Sequence, residues 1–251
     1  MRKIFLILFS FIILNANQIE KILISTNSKI TIPKITNKYL EKYSFSTKDK
    51  KLNPFYISKY EITTAQYKQY LKFINKKEDI ISNIDDEPIS NIDFDTAQNV
   101  CKFYKGRLPT EFEWMVTSSI KIAKSKCYEN LTIGNFYKYS TKNYPLNEND
   151  KHIKCMMEDD DELEPDLIGS ELLEIQDSYE NINGTYGMLG NLWEWVDTKK
   201  EKIYFNQKYK VIKGGSFANF HQPELFDNRI SNFVKKETKM SNIGFRCVWG
   251  K

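Results

Sequence analysis

Histidine is the scarcest reactive side chain in this sequence: His152 and His221 are the only two in 251 residues. No Ser/His/Asp pattern, nucleophile elbow or phosphate loop can be assembled from the chain, so the common hydrolase and nucleotide-binding classes are set aside. Basic residues exceed acidic ones only slightly, 37 to 33, and they are scattered. No Lys/Arg block interleaves with aromatics, which argues against a nucleic-acid partner. Beyond the N-terminal stretch no apolar run approaches the roughly 20 residues needed to cross a bilayer.

The N-terminal stretch reads differently. Arg2 and Lys3 precede an unbroken apolar run over 4–14, and the small Ala16 precedes a polar stretch. That is the layout of a secretory signal peptide over residues 1–16, with a retained anchor as the alternative. Its removal takes the formal charge from +4 to +2 and predicts a periplasmic or secreted protein with no membrane attachment after cleavage. The remaining 17–251 suit one domain with a real core, being 41% hydrophobic and 14% aromatic over the whole chain.

Cysteines are few but even in number. Cys101, Cys127, Cys155 and Cys247 would meet an oxidising compartment, where two disulfides are expected and three pairings are open. A metal site of Cys127, Cys155 and His152 is the competing reading, and small buried thiols the bland one.

Local patterns sketch an irregular α+β domain. Brief β-like runs at 22–24 and 30–32 precede a strand over 55–62 that starts after Pro54. Thr63 or Thr64 caps a helix to about Asn75, with Tyr67, Tyr70, Leu71 and Ile74 at helical spacing. A second helix over about 95–104 turns Ala97, Val100, Cys101 and Tyr104 inward. A third opens at a Thr110/Glu113 capping box. Short strands are expected at 209–212 and 244–249. An insertion at about 156–180 includes 158–166, where seven of nine residues are acidic. It lacks the alternating oxygen ligands and central glycine of a calcium loop and reads as a solvated, mobile insertion.

Three blocks within 54–249 stand out. The first is Pro54-Phe-Tyr-Ile-Ser-Lys-Tyr-Glu-Ile-Thr-Thr-Ala-Gln-Tyr67. The second joins Pro88-Ile-Ser-Asn-Ile92 to Gly106-Arg-Leu-Pro-Thr-Glu-Phe-Glu-Trp114. The third comprises Tyr186-Gly-Met-Leu-Gly-Asn-Leu-Trp-Glu-Trp195, Val211-Ile-Lys-Gly-Gly-Ser-Phe217 and Ile243-Gly-Phe-Arg-Cys247. In this order they resemble the formylglycine-generating enzyme (sulfatase-modifying factor) family, which implies an irregular C-type-lectin-like α+β fold. Arg107 is placed to pair with a carboxylate, and its planar fork favours two-point contact.

Active members oxidise a substrate cysteine with copper(I) held by two cysteines after the Gly-Gly-Ser stretch. Here the corresponding residues are Asn219 and Glu224. Neither side chain replaces a thiolate on copper(I), a soft ion. The resemblance therefore implies no copper and no catalytic residue carried over. It implies a Cys101–Cys247 disulfide, which leaves Cys127 and Cys155 as the remaining pair. It also implies calcium, held by the carbonyls of Gly190 and Leu192 and the carboxylate of Glu194, although Gly187 replaces the usual Asp or Asn ligand. Capping of buried backbone N–H groups is the other reading of Glu194.

The implied function is a non-catalytic or accessory binding domain for a periplasmic or extracellular protein, peptide or glycan. The candidate groove comprises Trp193, Trp195, Asn219, His221, Glu224 and Arg229. The alternatives are an oxidoreductase using a harder, non-heme metal, and formylglycine generation itself through a free thiol of Cys127 or Cys155.

Overall fold

A computed structural model describes residues 18–26, 29–32, 45–77, 82–118, 183–198, 202–204, 207–219 and 229–251. The signal-peptide reading, the acidic run, Cys127, His152 and Cys155 lie outside these residues.

Among the described residues ten short strands and three helices are arranged around two apolar clusters. Strand β1 (Lys21–Ile24) and strand β10 (Val248–Gly250) flank β4 (Phe55–Ser58), both antiparallel to it. A hairpin-like pair is made by β2 (Ile30–Ile32) and β3 (Thr47–Lys50). The larger sheet centres on β7 (Gln207–Lys213). Strands β5 (Trp193–Val196) and β6 (Lys202–Tyr204) pair along β7, as does β8 (Asn232–Lys235), and β9 (Ile243–Gly244) runs parallel beside β5.

The strand expected over 55–62 stops at Ser58. Beyond it the chain leaves the ladder yet keeps its hydrogen bonds elsewhere: Ser58 N–H donates to Cys247 at 2.8 Å and Ile62 N–H to Phe245 at 2.9 Å. The strand expected over 244–249 is likewise split into β9 and β10, because 245–247 carry a buried arginine and a disulfide between them.

The helices follow their sequence signals closely. Helix α1 (Thr64–Phe73) starts at a Thr63/Gln66 capping box, and α3 (Glu111–Thr117) at the Thr110/Glu113 box. Such caps contribute about 1 kcal/mol each by satisfying N–H groups that the first turn leaves open. Helix α2 (Phe94–Phe103) is capped by Asp93 and buries Phe94, Ala97, Val100 and Cys101. Tyr104 is only half-buried, as are Tyr67 and Tyr70. Arg107 pairs with Glu113 through two contacts of 2.8 and 2.6 Å.

The two clusters sit on opposite faces of β5. Trp193 and Trp195 pack with α2 and Phe245, while Val196 faces Trp114, Met115 and Met188. All four residues of β5 are buried, so the strand is a partition inside the core.

Candidate functional site

Strand alternation puts Glu194 on the Trp114 side of β5, where an ionised carboxylate needs strong donors. It has them. Trp114 Nε1 donates to Oε2 at 2.7 Å. Arg246 Nε donates to both oxygens at 2.8 Å, and Nη2 donates to Oε1 at 2.6 Å. The same Nη2 donates to the Tyr186 carbonyl at 2.8 Å. Glu194 and Arg246 are each 0% exposed. Burial alone would lower the Arg246 pKa, but the facing carboxylates outweigh it and hold the guanidinium charged.

A third buried charge-bearing group completes the cluster. Glu61, three residues past β4, is 1% exposed. Its Oε1 accepts from Asn191 Nδ2 at 3.1 Å. Its Oε2 lies 4.0 Å from Arg246 Nη2 and has no hydrogen-bond partner. Two carboxylates thus face one guanidinium. Burial pushes the Glu61 carboxyl up to about 8, Glu194 adds to the shift, and Arg246 opposes it. Near neutral pH Glu61 holds a proton, which matches charge inside the cluster.

Gly187 closes the site. Its φ is +63°, and a Cβ built there would stand 2.7 Å from Glu61 Oε2. The missing side chain is therefore replaced in space by the Glu61 carboxyl.

These contacts decide how the expected calcium ligands stand. Both oxygens of Glu194 are engaged by side-chain donors, not by backbone N–H groups. Arg246 supplies the positive charge that this carboxylate would otherwise offer to a cation. The donor set does not fit calcium at this carboxylate.

The Gly-Gly-Ser stretch lies against the same loop. Gly190 N–H donates to the Gly214 carbonyl at 2.8 Å, and Phe217 N–H to the Asn191 carbonyl at 3.0 Å. A short 3-10 turn, Phe217–Asn219, follows. Asn219 ends that turn, while His221 and Glu224 lie outside the described residues. Arg229 is half-buried, and its carbonyl accepts from Phe45 N–H at 2.8 Å.

Trp193 and Trp195 require a correction. They are 2% and 0% exposed, and Trp195 Nε1 donates to the Ile92 carbonyl at 2.7 Å with Phe94 edge-on at 5.7 Å. They are core side chains and line no groove.

Cys101 on α2 is joined to Cys247 by a disulfide, with Cα atoms 5.5 Å apart. The bond places the Arg246 backbone beside α2.

The fold and these loops define an α+β protein of the lectin-like architecture used by formylglycine-generating enzymes. Residues 23–251 match the sulfatase-modifying factor enzyme 1-like domain, and the chain belongs to that family. CarF superposes with a TM-score of 0.59 at 16% identity, over 93% of this chain and 98% of its own. Treponema denticola variable protein 1 gives 0.60 at 12%, over 92% and 95%. PvdO from Pseudomonas aeruginosa gives 0.54 at 16%, over 92% and 94%. These likenesses establish the fold. An uncharacterised Bacillus subtilis (strain 168) protein, YfmG, is 26% identical over 244 residues. The match covers 78% of this chain and 46% of YfmG, so the chain spans about half the length of that relative.

Glu61 and Arg246 belong to separate motifs of the sequence. A signal was available: Glu194 lies between two tryptophans, and Arg246 between Phe245 and Cys247. Opposite charges isolated in apolar runs demand each other.

Proposed function

We propose that this chain is an exported member of the family that does not generate formylglycine and serves as a binding or accessory domain. Its partner is a periplasmic or extracellular protein, peptide or glycan. The observation that carries the reading is the side-chain chemistry at 219 and 224, where an amide and a carboxylate stand in place of two thiolates. Copper(I) selects soft sulfur ligands, and these oxygen and nitrogen groups do not supply them. The supply elsewhere is short as well. Cys247 is bound to Cys101, which leaves Cys127 and Cys155 as the only other sulfur donors of this type. Export is supported by the basic start and apolar run at the N-terminus. No helix among the described residues is long and apolar enough to cross a membrane.

The test is a joint assay on protein made in an oxidising compartment. Copper and iron content, free thiols, and aldehyde formation on a cysteine-containing sulfatase peptide are measured on the same sample. The expected result is substoichiometric metal, no titratable thiol and no aldehyde. Stoichiometric copper with aldehyde product would restore the family activity. Stoichiometric iron would move the chain to an oxidoreductase of different chemistry.

A further inference from the structure

The C-terminal ends of α1 and α2 meet at the surface of the protein. Phe73, the last residue of α1, is 68% exposed, more than the other large exposed apolar side chains, Leu23, Ile84 and Met240. It does not stand alone. Its ring lies 4.9 Å from that of Phe103, the last residue of α2. Phe103 lies 5.9 Å from Tyr70 and 4.7 Å from Tyr104, and Tyr70 lies 6.0 Å from Tyr67. Single exposed apolar residues are ordinary on any surface. Five contiguous rings crossing between two helices form a ridge.

The ridge carries unmatched positive charge. Lys72 and Lys76 bracket Phe73, Lys102 and Lys105 bracket Phe103, and all four are exposed. Lys68, one turn back on α1, takes Asp85 at 2.8 Å. Among the described residues none of these four forms an ion pair. Lysine near a helix C-terminus offsets the helix dipole, which accounts for Lys72 and Lys102.

It does not account for Lys105. That residue has a φ of +62°, just past the end of α2, where Gly106 N–H reaches back to the Cys101 carbonyl at 2.8 Å. This left-handed position ordinarily belongs to glycine, because a Cβ there is strained. A lysine is kept where a glycine would fold more easily, exposed and two residues past Phe103.

We propose that this ridge docks an acidic peptide segment of a partner protein, with an apolar side chain seated on Phe73 and Phe103. The rings supply contact area at low entropic cost, and the lysines select the sign of the partner's charge. The inference stands whether or not positions 219 and 224 are inert, since it uses none of those residues.

The test uses the mature chain and a short fluorescein-labelled peptide of glutamates around a central Phe-Leu pair, followed by fluorescence polarisation. A counterpart with lysine for every glutamate and vesicles containing phosphatidylglycerol are run beside it. The expected result is saturable binding of the acidic peptide that weakens with salt. Phe73→Ser and the double variant Lys72→Glu/Lys102→Glu each weaken it at least about tenfold. Lys105→Gly weakens binding while leaving the protein at least as stable, a combination that a purely structural role would not give. Absence of saturable binding overturns the proposal, as does equal binding of the lysine peptide or indifference to Phe73→Ser. Binding to vesicles without binding to peptide assigns the ridge to anionic lipid and overturns it too.

Discussion

Arg246 meets Glu194 with both side chains fully buried, and the guanidinium approaches the carboxylate to 2.6 Å. The pair lies between β5 and the disulfide-bearing turn, with the Glu61 carboxyl at its edge. Such a pair stabilises little relative to a well-packed apolar substitute, yet breaking it leaves a naked buried charge.

Arg246→Met should therefore be severe. The buried Glu194 carboxylate loses its counterion, and the expected loss is about 3–5 kcal/mol. Urea unfolding measures it. The double variant Arg246→Met/Glu194→Gln should recover part of that loss; if it is as unstable as the single variant, the ion-pair account is wrong.

Glu61 sets a pH dependence of unusual sign. Its folded pKa is about 8 against an ordinary 4.5. Between those values the folded state binds more protons than the unfolded state, so stability falls as pH rises through that window. Glu61→Gln should flatten the slope and raise stability at neutral pH by roughly 1–3 kcal/mol. Asp93 and Glu113 act with opposite sign at lower pH. Burial opposes ionisation of each, but hydrogen bonds from Thr96 and Lys239 and from Arg107 and Thr110 hold their pKa values below normal. An unchanged slope in Glu61→Gln would show that the proton sits elsewhere.

Gly187→Asn restores the residue type expected of a calcium ligand. The structure predicts damage instead, since any Cβ meets Glu61 Oε2 at 2.7 Å and the φ is +63°. A loss of about 1–3 kcal/mol is expected from overpacking against the buried Glu61 carboxyl, since asparagine tolerates the left-handed backbone. Thermal melts with and without calcium should show a lower midpoint that calcium does not restore. A calcium-dependent rise would mean that Glu61 moves aside and the site accepts the ion.

The Cys101–Cys247 bond spans 146 residues. In the chain-entropy description, closing so long a loop contributes about 4–5 kcal/mol. Replacing both cysteines with alanine should lower the urea midpoint accordingly, with α2 and the turn before β10 losing amide protection together. Equal stability of the alanine variant would place the constraint elsewhere.

The helices were legible in the sequence because their signals are local. Thr110 and Glu113 stand three apart, and Ala97, Val100 and Cys101 fall on one apolar face, although the Asp93 cap two residues before the expected start went unread. Arg107 found its carboxylate, Glu113, only six residues away. β5 was not legible, since Trp-Glu-Trp-Val is buried on both faces and shows no alternation for a period-two reading to detect. The same double burial misled the groove assignment, because tryptophans rich in contact area serve a core as readily as a ligand. The cluster itself joins residues 61, 194 and 246, and no local pattern encodes a partner more than 50 positions away.

The placement of Arg246, Cys247 and Val248 has a consequence for timing during synthesis. Val248 pairs with both Ile57 and Arg107, Cys247 ties α2, and Arg246 neutralises the carboxylate buried behind β5. None of these bonds can form until the ribosome has made everything before them, including both carboxylates. The nascent chain must carry two incomplete cores with unmatched acids, a state that resists premature collapse. A buried acid without its cation resists desolvation, so the two cores close together only once Arg246, Cys247 and Val248 are in place.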